Sequence, residues 1–229
     1  MSYASRLLST AGTIALCALL MAPARATATP ITWIFTDGSD VTLGNADAST
    51  FHSGSVSITA TAGPVPPGSV VDLYSKTDGS DETGLGIAGQ TDNELTPGFW
   101  IQLDLINLIN AGFTNLGFSM ESVSGTDGYE YALSGVAGSP GVFGHFSQVD
   151  NSGGGDTPVT LAGNRYLFIT SVCGGTSDDS VTTPCSTVLL HDFVATAPTS
   201  TVPEPASLLL LGSGLAFVGR RLRRSNQRA

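Results

Sequence analysis

The sequence predicts an all-β protein, an antiparallel β-sandwich with jelly-roll-like topology, flanked by an N-terminal signal helix and a single C-terminal transmembrane helix. Short segments such as residues 100–105 and 116–121 alternate apolar and polar side chains. This period of two is typical of strands buried on one face. Turn sequences such as Asp37-Gly38 and Asp127-Gly128 separate the segments at intervals typical of sandwiches.

Ten segments qualify as strands, either by this alternation or as apolar runs bounded by turns. In residues 105–111, by contrast, Leu105, Leu108 and Ile109 have the spacing of a single helical turn. We therefore expect one β-sandwich domain over residues 27–196, long enough to bury a core. The predicted strands are residues 32–35, 41–43, 55–62, 70–76, 100–105, 116–121, 129–133, 142–149, 164–172 and 187–196.

The first 26 residues have the three parts of a secretory signal peptide. Arg6 supplies a positive charge, residues 7–22 are apolar, and Ala24-Arg25-Ala26 forms an A-x-A cleavage site. We therefore predict export from the cytoplasm and a mature chain that begins at Thr27.

A second apolar segment, residues 206–219, lies near the C-terminus. Its 14 residues would span about 21 Å as a helix, whereas a transmembrane helix usually needs about 20 residues. We predict a short transmembrane helix that holds weakly, with residues 225–229 in the cytoplasm because basic residues stay on that side. Residues 197–202 form the linker to the body. The basic cluster comprises Arg220, Arg221, Arg223 and Arg224.

The turn sequence Val202-Pro203-Glu204-Pro205 stands immediately before this apolar segment. Turn, apolar segment and arginine cluster together resemble the PEP-CTERM sorting tail, here residues 203–224. That tail occurs on exported proteins of Gram-negative bacteria that make extracellular polysaccharide. The resemblance implies an exosortase as processing partner, transient inner-membrane insertion of the precursor, and a final place at the cell surface or outside the cell. An ordinary anchor that is never cut is the alternative.

The exported body is strongly acidic. Between residues 27 and 202 the chain has eighteen acidic residues and two bases, Lys76 and Arg165, which gives a formal charge of −16. Such a surface repels phosphate, so we expect neither nucleic acid nor an anionic membrane surface as a partner. Solubility explains the charge better than attraction of divalent cations does.

Two cysteines, Cys173 and Cys185, remain after signal-peptide removal and face an oxidising compartment. They flank a loop between the apolar runs 166–172 and 187–194. If those runs are antiparallel partners, the two cysteines meet at the root of the loop. We therefore predict a disulfide, which would add on the order of 3 kcal/mol to stability.

The densest polar stretch, residues 76–86, contains carboxylates on glycine-permitted turns, and further acids follow. Calcium takes six to eight oxygen ligands in irregular geometry, so a calcium site is one hypothesis, although the spacing does not fit an EF-hand. A solvated loop is the favoured interpretation. Residues 81–86 and 92–95 look like a recurrent element of other sorting-tail proteins. The possible calcium ligands are Asp78, Asp81, Glu82, Asp92 and Glu94.

The body contains no serine-hydrolase, zinc-protease or nucleotide-binding motif. Its histidines, His52, His145 and His191, lie on separate predicted strands or loops with no partner implied. Glu121 and Glu130 would face each other if residues 115–133 formed a hairpin, and glycoside hydrolysis needs two such carboxylates.

Two functions follow from these observations. We expect a non-catalytic surface or matrix protein, structural or glycan-interacting, in exopolysaccharide or biofilm. Trp100, Tyr74 or Phe99 would then stack on sugar rings, unless they belong to the core. The alternative is a secreted hydrolase that acts on glycan or ester.

Overall fold

The chain divides into two compact units, residues 28–198 and residues 1–27 with 199–229. The signal peptide, Cys173, Cys185, Asp81, the Pro-Glu-Pro turn and the arginine cluster lie outside the described residues. No helix in the described part of the chain is long and apolar enough to cross a membrane. This computed structural model describes residues 28–36, 40–43, 48–65, 71–78, 82–121, 127–148, 157–172, 187–198, 212–215 and 217.

The described residues form thirteen strands and three short helical elements. The helical elements are a 3₁₀ turn, Thr91–Asn93, and α1, Ile106–Asn110, and residues 212–215 of the C-terminal unit are also helical. The strands are β1 (Pro30–Ile34), β2 (Val41–Thr42), β3 (Ala48–Ser53), β4 (Val56–Pro64), β5 (Leu73–Asp78), β6 (Glu82–Ile87), β7 (Phe99–Asp104), β8 (Thr114–Glu121), β9 (Gly128–Ser134), β10 (Gly144–Gln148), β11 (Thr157–Val159), β12 (Tyr166–Ser171) and β13 (Leu189–Thr196).

The strands assemble into two sheets whose pairs are all antiparallel. Sheet A has the order β11-β8-β13-β6-β5-β2, and β1 pairs with β13 beside this path. Sheet B has the order β10-β9-β12-β7-β4-β3. The prediction of an antiparallel two-sheet protein is therefore confirmed.

One apolar core joins side chains from strands of the two sheets. Trp33 and Phe35 are fully buried, and so are Ile101, Leu103 and Phe118. The alternating pattern in residues 100–105 and 116–121 is thus confirmed. Its apolar positions, such as Ile101, Leu103 and Phe118, face the core. Aromatic side chains of the two sheets also pack edge-to-face. The rings of Phe118 in sheet A and Tyr129 in sheet B have centroids 5.7 Å apart.

Most predicted strands are present, and α1 confirms the helical turn predicted at residues 105–111. Three strands were not predicted: β3, β6 and β11. Each contains few apolar residues, and β6 carries two glycines, so neither alternation nor composition marks them as strands.

The hairpin expected over residues 115–133 is wrong. β8 belongs to sheet A and β9 to sheet B, so the chain passes from one sheet to the other between them. The core-facing side of β8 holds Phe118 and Met120, and that of β9 holds Tyr129. Glu121 and Glu130 alternate with these residues and therefore lie on opposite outer faces of the sandwich.

A smaller aromatic cluster covers the outer face of sheet B. Trp100 packs edge-to-face on Phe168, with ring centroids 5.2 Å apart, and Phe143 packs against this cluster. Trp100 is only 5% exposed, so it is not the sugar-stacking surface aromatic that was expected. Tyr74 and Phe99 are half-buried, and Phe99 packs against the main core.

The indole of Trp100 lies directly on Gly63, its cross-strand neighbour in β4. A Cβ added at Gly63 would lie 2.3 Å from an indole ring carbon. We therefore expect Gly63→Ala to lower the free energy of unfolding by about 1–3 kcal/mol, because the ring has to move out of its packed position. Urea denaturation measures the change. The matched control is Gly135→Ala, where an added Cβ meets no atom within 4 Å. Equal losses in the two variants would contradict this account.

Candidate functional site

The polar stretch begins in β5 and ends in β6, which pair as neighbouring antiparallel strands at one side of sheet A. Lys76 pairs with Gly84, and Tyr74 pairs with Gly86. These residues point away from the core, because the alternate positions Leu73 and Leu85 belong to the core. The outward face of β6 therefore carries glycines where a side chain would otherwise stand.

Because Gly86 has no side chain, the backbone of residues 93–94 lies directly against β6. A Cβ added at Gly86 would lie 2.1 Å from the carbonyl oxygen of Asn93 and 2.9 Å from Cα of Glu94. Asp92 and Asn93 take positive φ angles of 55° and 56° as the chain turns back across β6. Leu95 then ends the crossing with an isolated bridge to Val188.

This crossing brings three carboxylates around one ammonium group, an arrangement we call the Lys76 cage. Nζ of Lys76 lies 2.6 Å from Glu82 Oε2, 2.9 Å from Asp92 Oδ2 and 2.7 Å from Glu94 Oε1. The Lys76 side chain is 6% exposed and that of Glu94 1%, whereas that of Asp92 is 65% exposed. The cage is thus buried at its floor and open to water at Asp92.

The cage keeps Lys76 charged although burial opposes it. Burial on its own would lower the pKa of Lys76, but hydrogen bonds to Glu82, Glu94 and Asp92 outweigh it and raise the pKa above its ordinary value. Oε2 of Glu94 is buried without a hydrogen-bond partner. One positive charge therefore balances three carboxylates, and the cage has a formal charge of −2.

Three of the five calcium ligands predicted from the sequence do meet here. Single oxygens of Glu82, Asp92 and Glu94 lie within 4.8 Å of one another, while the side chain of Asp78 and all of Asp81 lie outside the described residues. Calcium would sit about 2.3–2.6 Å from such oxygens, which is almost where Nζ of Lys76 already lies. The resident cation of these carboxylates is thus the lysine, which the sequence interpretation left out of the set.

A second charged group joins β6, β8 and β13. Glu121 accepts a hydrogen bond from the backbone N–H of Thr83 at 2.9 Å and lies 3.1 Å from Nδ1 of His191. The same Nδ1 lies 2.9 Å from the carbonyl oxygen of Thr83. The hydrogen bond to Glu121, helped by the Thr83 carbonyl and by the charge of Asp192, raises the pKa of His191 to about 9 against the opposing effect of burial. His191 is therefore a cation at neutral pH that donates from Nδ1.

The remaining base is also paired. Arg165 makes a two-point contact with Asp104, with Nε at 2.8 Å and Nη2 at 2.5 Å from the two carboxylate oxygens. Its guanidinium also lies 4.9 Å from the centre of the Tyr166 ring. The hydrogen bond to Asp104 raises the pKa of Arg165 further. Of the predicted candidates, His52 lies on β3, and the side chain of His145 lies outside the described residues.

We expect removal of the Lys76 ammonium to create a cation requirement that the natural protein does not have. Lys76→Met leaves three carboxylates without a counter-charge and should lower the free energy of unfolding by about 3 kcal/mol. Added calcium should then raise the melting temperature of the variant, because the space between the carboxylates is free. The melting temperature of the natural chain should stay unchanged. An equal rise in both proteins would show that Lys76 does not occupy the cation position.

We also expect stability to fall as pH rises through the pKa of His191. The folded pKa, about 9, lies above the ordinary value of 6.5. The stabilisation is therefore complete below about pH 6.5 and is lost as pH passes 9. Allowing for solvent screening, the loss should be roughly 1–2 kcal/mol between pH 7 and 10. Denaturation of the natural chain and of His191→Gln across this range isolates the effect, and parallel pH profiles would contradict it.

Comparison with curated proteins and with solved structures gave no match. The PEP-CTERM protein-sorting motif matches residues 201–224. This stretch includes Pro203, Glu204, Pro205 and the four arginines named from the sequence. The chain carries a PEP-CTERM protein-sorting motif and is thus an exported protein that an exosortase sorts to the cell envelope or surface.

Proposed function

We propose that the exported body is a non-catalytic, jelly-roll-like module that interacts with exopolysaccharide and stabilises the extracellular matrix or biofilm. The observation that carries this proposal is the sorting motif at residues 201–224. It directs the body to the place where such polymers are found in bacteria that make them. In this proposal, a disulfide between Cys173 and Cys185 stabilises the sandwich.

The fixed positions of the candidate catalytic groups favour a binding role. Glu121 and Glu130 stand on opposite outer faces of the sandwich, so they do not form the pair of carboxylates that glycoside hydrolysis needs. Glu121 is held by Thr83 and His191. A general base that serves as a structural bridge between strands is poorly placed to accept a substrate proton.

The charge of the body favours an uncharged partner. Lys76 and Arg165, its two bases, are both paired with carboxylates inside the protein. A polyanion such as nucleic acid, or an anionic membrane surface, would therefore meet an acidic surface with no unpaired lysine or arginine to contact.

The precursor reaches this place, we propose, across the inner membrane of a Gram-negative bacterium. Residues 206–219 insert transiently while the arginine cluster stays on the cytoplasmic side. Exosortase then cuts near Pro203-Glu204-Pro205, and the body moves to the cell surface or the medium. Calcium is not required in this picture, because the ammonium of Lys76 already occupies the cation position between the three carboxylates.

The proposal predicts retention of polysaccharide without chain cleavage. The protein, immobilised and supplied with the producer's own purified exopolysaccharide, should retain the polymer above a level set by an immobilised acidic protein of similar size. Size-exclusion profiles and reducing-end assays of the polymer should be unchanged after prolonged incubation. New reducing ends would favour the secreted hydrolase instead, and release of acid without chain shortening would indicate an esterase. Absence of retention would contradict a glycan-interacting module.

A further inference from the structure

An open cleft of about 650 Å³ lies at the end of sheet A where β11 leaves β8. The two strands pair over only three residues, and pairing ends where Val159 meets Leu116. Beyond that point the chain after β11 turns towards β12 of sheet B, while the residues before Leu116 continue towards α1. The cleft is the space between these two diverging segments, and its volume is in the range of small-ligand sites.

The lining of the cleft is uncharged, although the body around it has a formal charge of −16. One kind of lining residue is apolar: Ile109 is 41% exposed, and Phe113 and Leu161 are half-buried. The other kind is polar but neutral and includes the amides of Asn115 and Asn164. Apolar walls with a few neutral hydrogen-bonding groups suit a ligand that has both C–H faces and hydroxyl groups.

Two residues with unusual backbone angles lie at the same place. Asn115 and Ala162 have positive φ angles of 49° and 48°, which are unusual for residues other than glycine. Among the described residues, the other non-glycine residues with positive φ are Asp92 and Asn93 of the Lys76 cage. There the strain is explained by the crossing over β6.

At the cleft, Asn115 at the start of β8 belongs to the lining, and Ala162 lies in the turn after β11 between the lining residues Leu161 and Gly163. This turn is fixed locally, because the backbone N–H and the side-chain amide of Asn164 both donate to the carbonyl oxygen of Leu161, at 2.8 and 3.0 Å. Strained positions held in place by their surroundings are typical of ligand sites. The wall that contains Leu161 and Asn164 is therefore held in place by its own hydrogen bonds.

We propose that this cleft binds an uncharged segment of polysaccharide. Ile109, Phe113 and Leu161 contact the C–H faces of the sugar rings, and Asn115 and Asn164 exchange hydrogen bonds with their hydroxyl groups. An anionic polymer is excluded, because the cleft offers no cation and the rest of the body is acidic. This inference rests on the proposed function and names the site where the polymer is held.

The test introduces a negative charge into the cleft without changing side-chain size. Asn115→Asp suits the backbone, because aspartate tolerates a positive φ as asparagine does, and the side-chain contact to Thr196 at 3.5 Å is weak. The matched control is Asn110→Asp, which makes the same change at an exposed residue of α1 outside the lining. A second cleft variant, Thr160→Asp, places the charge on the opposite, exposed wall.

The full-length chain in mild detergent is tested against dextran and against the producer's polysaccharide, separated by ion exchange into neutral and anionic fractions. We expect the natural chain and Asn110→Asp to bind the neutral fraction equally, and both cleft variants to bind it at least tenfold more weakly with unchanged melting temperatures. On titration with the neutral fraction, the amide NMR signals of Gly117 and Gly163, two cleft residues, should shift and that of Gly54, a turn residue elsewhere, should not.

Three results would overturn the inference in different ways. Unchanged binding by both cleft variants would show that the cleft is not the binding site and would leave the proposed function intact. Binding of the anionic fraction alone would reject the ligand chemistry and also leave the proposed function intact. No binding of either fraction by the natural chain would overturn the cleft and the glycan-interacting module together.

Discussion

The buried ammonium of Lys76 is the interaction on which the outer side of the β5–β6 hairpin depends. Glu94 has almost no exposed surface, so its charge is tolerated only beside a cation. Lys76 provides that cation and at the same time holds Glu82 and Asp92. Because the three acids come from β6 and from the segment that crosses it, one lysine fixes the crossing.

The glycines of β6 allow neighbouring backbone to approach this strand closely, which the crossing segment of the Lys76 cage requires. Gly84 leaves room for the carbonyl oxygen of Leu190, to which an added Cβ would lie at 2.6 Å, and Gly86 leaves room for the Asn93–Glu94 backbone. A side chain at either position would push one neighbour away from the strand. Acids and glycines of residues 82–94 therefore have separate roles: the acids hold Lys76, and the glycines leave room for neighbouring backbone.

The sequence was sufficient for the parts of the fold that depend on local pattern. Alternation over residues 100–105 and 116–121 predicts which side of β7 and β8 faces the core, because the side-chain period of a strand is fixed. It does not tell whether the next strand joins the same sheet, and the Glu121–Glu130 pair failed for that reason. It also predicts only that Trp100 points outward, whereas its burial involves packing against Phe168, a residue distant in sequence, with Phe143 beside the same cluster. The Lys76 cage was predicted only in part. The sequence indicated its acidic residues, but it did not indicate that Lys76 is their counter-ion.

The distribution of charge connects the fold with the function. The cationic side chains of the described body, Lys76, Arg165 and protonated His191, are all paired with carboxylates within the protein. Internal pairing engages all three of these cations, so none of them is available to an external anionic partner. A protein of this kind stays soluble outside the cell and is repelled by anionic polymers. Under the proposed function, adhesion to a polysaccharide would use neutral surface, and the uncharged cleft beside β11 is such a surface.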